Sequence, residues 1–361
     1  MRLLLAPVVV LFLWIAFAQK ETRQANAGVG DNGLATNAEL NAPLAIAVDG
    51  SQTLYIAEFL GVIRRVDLKT GIITTLHTST KLELMTSLAV DTAGNLLAAE
   101  HVVDRVRRIN PTTGSVTTIA GGRRLQFGGD GGPALDAGLS SPHYVVTDAN
   151  DNLYIVDLGD RRVRRVDAHT GIITTVAGNG KCDSSGDGGP ALGAGLEYPN
   201  SIALDRDGNL FIAQYGYGQD SHRIRRVDTK SGIITTVAGL AKEGLTGDGG
   251  PAPSASLTAP SDLLFDRMGD LYVVASDRVR YIEARTRIIT TIAGSTKGFA
   301  GDGGPAIKAR FDSPSSVAMD ADGNLYIADY MNNRIRRVNI HTGVIQTVAG
   351  NGLPHEPRIS L

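Results

Sequence analysis

The stretch "SSVAMDADGNLYIADYMNNRIRRVNIHTGVIQTVAG", residues 315–350, contains four short runs rich in Val, Ile, Tyr and Thr, separated by turn-forming residues. The runs are "SSVAMD", "LYIAD", "RIRRVN" and "VIQTVAG", and none of them shows a sustained 3.6-residue apolar period. The "DGN" and "TG" sequences between them favour positive φ angles in tight hairpins, which join neighbouring strands antiparallel. The stretch therefore predicts one four-stranded antiparallel β-sheet.

The same order of runs occurs six times along the chain. In each copy the first run ends in an aspartate: Asp49, Asp91, Asp148, Asp205, Asp266 and Asp320. A single such sheet, apolar on both faces, cannot bury itself, whereas six sheets arranged radially cover one another and leave only short edges. The sequence therefore predicts an all-β fold, a six-bladed β-propeller of four-stranded antiparallel blades, over residues 43–352.

A glycine-rich loop of the type "GDGGPA" precedes five of the six repeats. A phosphate-binding loop leads directly into a helix, and a calcium loop supplies several oxygen side chains. These loops have one aspartate each and lead within a few residues to the next strand. We therefore interpret their aspartates as turn and loop-packing residues: Asp31, Asp130, Asp187, Asp248 and Asp302. The worn copy at Gly30 is expected to bridge blades 6 and 1.

The first eighteen residues, "MRLLLAPVVVLFLWIAFA", have the pattern of a secretory signal, with Arg2 before an apolar run and a small-residue ending. The run is shorter than the roughly 20 residues of a membrane-spanning helix. We divide the chain into a signal peptide (1–18), an N-terminal segment with the first inter-blade loop (19–42), the propeller (43–352) and a C-terminal tail (353–361). This predicts a secreted or periplasmic protein.

Composition narrows the range of partners. Thirty-five basic and 37 acidic side chains give a formal net charge of −2, so the chain lacks the basic field that nucleic-acid binding requires. We expect no nucleic-acid partner, no membrane insertion after signal cleavage, and a monomer. The single cysteine, Cys182, excludes an intrachain disulfide.

The third strand of every repeat carries an arginine at an equivalent position: Arg64, Arg107, Arg164, Arg225, Arg280 and Arg336. A residue that is present in every blade serves something that every blade needs. We expect these arginines to form bidentate pairs between blades with the six strand-ending aspartates. Contact with nucleic acid is the alternative, which the net charge disfavours.

The recurrent pattern of "DGNLYIAD", "NRIRRV" and "TGIITTVAG" resembles the NHL repeat, in the bacterial exported form that carries "GDGGPA" between repeats. The resemblance covers nearly all of the mature chain and implies a six-bladed propeller. The family includes sensor domains of receptor kinases, protein and RNA interaction modules and a zinc-dependent amidating lyase, and related six-bladed folds include metal-dependent lactonases. The resemblance therefore specifies the fold and leaves the activity open.

A central site should lie where equivalent positions of the six repeats differ. The end of the second strand and the position after the first-strand proline both vary, and in propellers both are near the mouth of the central channel. The second-strand ends are Glu58, Glu100, Asp157, Gln214, Ser276 and Asp329. The post-proline positions are Leu44, Thr86, His143, Asn200, Ser261 and Ser315, with Met85 replacing the proline in blade 2.

We predict a ligand-binding mouth formed by Glu58, Glu100, His101, His143, Asp157, Asn200, Gln214 and Asp329. Between blades 1 and 2 "HTSTKLELMT" replaces the glycine-rich loop, so we expect the ligand to approach over these two blades. Carboxylates around a narrow opening could also hold a divalent cation such as calcium, with Glu58, Glu100 and Asp157 as ligands. The alternative is that these carboxylates are solvated rim side chains.

Two kinds of catalytic centre are disfavoured. A zinc lyase needs three converging histidines, and of the seven histidines only His101 and His143 are expected at the mouth. No "GxSxG" sequence is present, and Cys182 has no evident histidine partner. The sequence thus favours an exported binding module for a protein, peptide or glycan, without catalysis and without a required cofactor. The alternative is a divalent-cation-dependent lactone or ester hydrolase.

Overall fold

The computed structural model describes residues 30–122, 127–216, 221–240 and 243–353. The predicted signal peptide, residues 1–18, lies outside the described residues, as do residues 19–29 of the N-terminal segment and residues 354–361 of the C-terminal tail. Within the described part, six antiparallel sheets follow one another along the chain, each with four consecutive strands in sequence order, and the fifth sheet has one additional short strand. The prediction of a six-bladed propeller is confirmed.

The first three blades contain twelve strands. Blade 1 consists of β1 (Pro43–Val48), β2 (Thr53–Glu58), β3 (Ile63–Asp67) and β4 (Ile73–Thr75). Blade 2 consists of β5 (Met85–Val90), β6 (Leu96–Glu100), β7 (Arg105–Ile109) and β8 (Val116–Gly121). Blade 3 consists of β9 (Pro142–Thr147), β10 (Leu153–Asp157), β11 (Arg162–Val166) and β12 (Ile173–Ala177).

The last three blades repeat this pattern. Blade 4 consists of β13 (Pro199–Leu204), β14 (Leu210–Gln214), β15 (Arg223–Val227) and β16 (Ile234–Ala238). Blade 5 consists of β17 (Gly250–Pro251), which adds a fifth strand, β18 (Pro260–Phe265), β19 (Leu271–Ala275), β20 (Arg278–Ile282) and β21 (Ile288–Ala293). Blade 6 consists of β22 (Pro314–Met319), β23 (Asn324–Asp329), β24 (Arg334–Asn339) and β25 (Val344–Ala349).

Helical structure in the described residues is limited to short 3₁₀ turns. They span Ala35–Asn37, His101–Val103, Ala134–Asp136, Ala191–Gly193, Ala252–Ser254, Ala306–Lys308 and Tyr330–Asn332. None of the helices in the described part of the chain has the length and apolar character needed to cross a membrane.

The hydrophobic core lies between neighbouring blades. The cluster that closes the ring joins Ile46 and Leu54 of blade 1 to Tyr326 and Ile335 of blade 6. Burying an aliphatic or aromatic side chain of this size contributes about 1.5–3 kcal/mol, so each interface holds its two blades together. The worn loop bridges blades 6 and 1 as predicted, since Ala35 accepts a 2.9 Å hydrogen bond from the backbone N–H of Gly350.

Each glycine-rich loop runs along the outer edge of the blade that follows it. In the loop before blade 3, the N–H groups of Gly131 and Ala134 donate to the carbonyl oxygens of Ile173 and Gly171, both at 2.9 Å. The loop thereby covers an otherwise unpaired strand edge. Gly129, at φ +86°, is required in this loop because a Cβ there would meet the Cα of Ala137 at 2.8 Å.

The loop aspartates, rather than the strand-ending aspartates, hold the repeated arginines. Arg164 is fully buried, and its Nη2 lies 2.7 Å from Oδ1 of Asp130. Equivalent pairs are Arg64 with Asp31, Arg225 with Asp187, Arg280 with Asp248 and Arg336 with Asp302. Blade 2 lacks the loop, and there Arg107 donates to the hydroxyl groups of Thr80 and Thr118.

The predicted pairing of these arginines with the strand-ending aspartates was therefore wrong. The reason is that the strand-ending aspartates close the first hairpin of their own blade. Oδ1 of Asp148 accepts the backbone N–H groups of Asn150 at 2.9 Å and Asn152 at 3.0 Å. This turn directs the carboxylate back toward its own backbone.

Candidate functional site

The carboxylates at the ends of the second strands are buried and engaged within their own blades. Oδ1 of Asp157 accepts the backbone N–H of Ser140 at 2.7 Å, and Oδ2 lies 3.3 Å from Nη1 of Arg164. Arg164 thus lies between two carboxylates, Asp157 and the loop residue Asp130. Glu58 with Arg64 and Asp329 with Arg336 repeat this arrangement in blades 1 and 6.

Burial raises the pKa of these three carboxyl groups. The pKa reaches about 7 for Glu58 and Asp157 and about 6 for Asp329. In each case loss of hydration is the largest cause, and it outweighs the opposing effect of the neighbouring arginine. For Asp157, the nearby carboxylate of Asp160 raises the pKa further.

Glu100 and Gln214 are likewise fixed locally. Glu100 is fully buried, accepts the backbone N–H of Glu83 at 2.6 Å and pairs with Arg105. Gln214 donates from Nε2 to the hydroxyl of Ser184 at 2.6 Å. The second-strand ends therefore hold separate loops instead of surrounding one point. Among the described residues, no three His, Cys, Asp or Glu side chains are grouped as a metal ion requires.

The structure does bring together the residues that follow the first-strand proline. They line a cavity of about 110 Å³ at the channel mouth: Leu44, Thr86, His143, Asn200, Ser261 and Ser315. Further side chains from blades 5 and 6 complete its lining, among them Ser276, Asp277, Tyr330 and Met331. The cavity therefore extends toward blades 5 and 6. It does not expose Glu58 or Glu100, although the loop between blades 1 and 2 is short.

Hydrogen bonds between neighbouring blades fix this ring of side chains. Thr86 Oγ1 donates to the carbonyl oxygen of His143 at 2.7 Å, and Ser315 Oγ donates to that of Pro43 at 3.2 Å. Asn200 Nδ2 and Ser261 Oγ donate in the same way to the carbonyl oxygens of the next blade. Each bond joins the first strands of two consecutive blades, so the ring is rigid.

His143 lines the cavity, and His101 lies beside it outside the cavity lining. Their ring centroids are 5.5 Å apart in an edge-to-face arrangement. Burial lowers the pKa of His143 to about 3, and the nearby His101 lowers it further while a hydrogen bond with Asn200 opposes the shift. Burial also lowers the pKa of His101. Both imidazoles are therefore neutral near pH 7.

The first-strand residues that follow the cavity-lining ring form a polar network across the channel. This network was not predicted from the sequence. The buried carboxylate of Asp262 accepts the N–H of Val317 at 2.8 Å, the hydroxyl of Ser201 at 3.0 Å and a hydrogen bond from Tyr144. Burial raises the pKa of both Asp262 and Tyr144. The signal was present in the sequence, since Asp262 and Tyr144 depart from the serine found at this position in three other blades.

Fold and site define the chain as a six-bladed β-propeller whose channel mouth forms a cavity with both polar and apolar lining residues. The sequence profile of the NHL repeat matches residues 311–338, which include the first three strands of blade 6. Together with the six-bladed arrangement, this match confirms the resemblance to NHL-repeat propellers.

Relatives and solved structures match most of this chain. The chain is 28% identical to Teneurin-4 of Mus musculus over 365 residues, which cover 88% of this chain and 13% of Teneurin-4. The chain thus spans about one eighth of that relative. An auxiliary nutrient binding protein of Bacteroides ovatus superposes with a TM-score of 0.62 at 16% identity, covering 90% of this chain and 72% of that one.

An enzyme has the same fold. A gluconolactonase from Xanthomonas campestris superposes with a TM-score of 0.55 at 15% identity, covering 80% of this chain and 83% of that chain. Identities this low show a common fold alone. Fold similarity therefore does not decide between binding and catalysis.

Proposed function

We propose that this chain is a non-catalytic binding module that takes a protein, peptide or glycan at its channel mouth. The observation that carries the proposal is the cavity itself, in which six equivalent first-strand residues of different chemistry meet on a repeated scaffold. Repeated residues build the blades, so the residues that differ are free to determine recognition.

The rigidity of the cavity supports this proposal. Its ring residues are bonded to the neighbouring blade, so little conformational entropy is lost when a ligand binds. The N-terminal sequence supports a secreted or periplasmic location, where the protein acts as a monomer without a nucleic-acid partner. The nutrient binding protein named above is a precedent for ligand binding on this fold.

The second-strand carboxylates are poor candidates for the hydrolase alternative. A hydrolase of that kind needs a cation such as calcium to polarise the carbonyl group and activate water. Glu58, Glu100 and Asp157 already hold arginines and backbone N–H groups in separate blades. A cation site there would require these contacts to be broken.

The proposal is tested by blocking the cavity. The chain recovered from an exporting host is screened against peptide and glycan arrays as wild type, as Ser315→Phe and as Leu192→Ala. Ser315 lines the cavity, whereas Leu192 is 58% exposed on the outer loop before blade 4. We expect Ser315→Phe to lose the wild-type ligands and Leu192→Ala to keep them. Identical binding by all three proteins would refute the proposal.

A cation titration addresses the alternative. Chelator-treated protein is melted in the presence of calcium, magnesium, manganese or zinc, because a ligand at about 100 times its dissociation constant adds about 2.7 kcal/mol of stability. The binding module is expected to give no saturable response. Saturable stabilisation that is lost in Asp157→Asn would favour the hydrolase.

A further inference from the structure

The hydrogen-bonding character of the cavity is unbalanced. Thr86, Asn200, Ser261 and Ser315 each direct an O–H or N–H toward a backbone carbonyl of the next blade. A hydroxyl group has a single hydrogen and two acceptor lone pairs. The hydroxyl hydrogens of Thr86, Ser261 and Ser315 are already donated to backbone carbonyl oxygens. The hydroxyl groups of the ring therefore offer the cavity mainly hydrogen-bond acceptors.

His143 is bonded to the ring through Asn200. Asn200 donates from Nδ2 to the carbonyl oxygen of Ser261, so its Oδ1 remains to accept a hydrogen bond from His143. His143 Nδ1 is buried without a hydrogen-bond partner among the described residues, which assigns the bond with Asn200 to Nε2. The imidazole thus carries its proton on Nε2 and is uncharged, while the buried Nδ1 does not face the cavity.

Asp277 gives the cavity a charge. Its Oδ1 accepts the backbone N–H of Ser313 at 3.4 Å, and none of the ion pairs within the described residues includes it. The nearest cations are committed elsewhere, because Arg278 donates to the carbonyl oxygen of Ser295 and Lys297 pairs with Asp312. Burial is the largest cause that raises the pKa of Asp277, and the carboxylate of Asp312 raises it as well, while the N–H of Ser313 and the charges of Lys297 and Arg278 oppose the shift.

The described lining residues include neither lysine nor arginine. The cavity therefore combines one carboxylate, one neutral histidine and a set of committed hydroxyl groups. The aromatic side chain of Tyr330 also lines it, and aromatic faces attract cations. A ligand that suits these walls brings a positive charge and several N–H donors.

We propose that the cavity binds a primary alkylammonium group, as carried by a lysine side chain or a small amine, with Asp277 as its counter-ion. The inference rests on the proposed function, because it names the ligand chemistry of the same cavity. An ammonium group has three N–H donors and no acceptor, which complements a cavity rich in acceptors.

The test is isothermal titration calorimetry of the full chain with four probes. They are butylammonium, Nα-acetyl-lysine methylamide, its Nε-acetylated analogue, and glucose. We expect the first two to bind and the Nε-acetylated analogue to bind at least tenfold more weakly. If a short lysine peptide binds more tightly than butylammonium, the natural source of the ammonium group is a peptide side chain. If the lysine peptide and butylammonium bind with equal affinity, the source is a small amine.

The matched variants are Asp277→Asn and Asp322→Asn. An asparagine at position 277 can still accept the backbone N–H of Ser313. At the equivalent position of blade 6, Asn333 accepts the backbone N–H of Ala42 at 2.8 Å. We expect Asp277→Asn to weaken ammonium binding at least tenfold, because the charge is lost while the fold is kept. Asp322→Asn, in an exposed turn outside the cavity lining, should change the affinity less than threefold.

The outcomes separate the two proposals. Equal binding of the acetylated analogue, or unchanged affinity in Asp277→Asn, overturns the ammonium assignment. If the ammonium probes fail while a glycan or another peptide binds wild type and not Ser315→Phe, only the ammonium assignment is wrong. If Ser315→Phe changes no binding at all, the proposed function fails as well.

Discussion

Replacing Arg164 with methionine should destabilise the propeller, and the loss should grow above pH 7. The buried guanidinium donates to Asp130, to Asp157 and to the carbonyl oxygens of Gly128 and Gly138. Methionine keeps most of the apolar stem and removes every one of these donors. The change therefore isolates the charge and its hydrogen bonds from packing.

The magnitude has two parts. At pH 6 the carboxyl group of Asp157, whose pKa burial raises to about 7, is largely protonated in the native state, so the loss is that of hydrogen bonds to buried acceptors, about 1–3 kcal/mol. Above pH 7 the variant must either bury an unpaired carboxylate or keep it protonated. Holding that proton costs about 1.4 kcal/mol for each further pH unit, which adds about 2 kcal/mol at pH 8.5.

The sign follows from proton linkage. The native variant binds a proton that the unfolded chain has already released, so its free energy of unfolding falls as pH rises. Urea unfolding followed by circular dichroism at pH 6 and pH 8.5 measures both parts. Arg165→Met is the control, since Arg165 is 29% exposed and its ion pair with Asp167 is worth about 1 kcal/mol or less. A loss for Arg164→Met that matches this control, or that is equal at both pH values, would refute the reasoning.

Three further predictions concern the loops and the channel. Gly129→Ala should lower the free energy of unfolding in urea by about 1–3 kcal/mol, because alanine is strained at this positive φ and its Cβ would also contact the backbone of Ala137. Gly131→Ala, at φ +82° with open space around its Cβ position, should lower it by only about 1–2 kcal/mol. Tyr144→Phe removes one hydrogen-bond donor from Asp262 and should lower the free energy of unfolding by about 1–2 kcal/mol, which a lower melting temperature would reveal. His143→Phe should flatten the rise in stability between pH 3 and pH 6.5, because the native imidazole, with its pKa lowered to about 3, binds fewer protons there than the unfolded chain.

The repeat pattern predicted the blades and the ring around the cavity because both follow from strand order. The first strand of each blade is innermost, so the residue after its proline reaches the channel whatever its identity. The direction of the second-strand carboxylates could not be predicted in the same way. Asp157 turns toward Ser140 and Arg164 because an inter-blade loop supplies an N–H there, and the path of that loop is not encoded in strand periodicity.

The same limit explains why the arginine partners were wrongly predicted. Both Asp130 and Asp148 are compatible with Arg164 when only spacing is considered. The hairpin uses Asp148, which leaves Asp130 as the partner. Local turn chemistry thus decided a contact between segments that are more than thirty residues apart.

The position of Asp277 in the repeat separates its structural role from its proposed role in binding. In four blades, the residue before the third strand accepts the backbone N–H of the residue before the next first-strand proline, which has a positive φ at Ala42, Ser141, Ala259 and Ser313. The acceptors differ: Asn333 and Asp104 at 2.8 Å, His222 at 3.1 Å and Asp277 at 3.4 Å. Asparagine and histidine fill this role without a negative charge, and Asp277 makes the longest of the four bonds. The structural bond therefore does not require a carboxylate, although Asp104 shows that a carboxylate also serves it, and what distinguishes Asp277 from Asp104 is its place in the cavity lining.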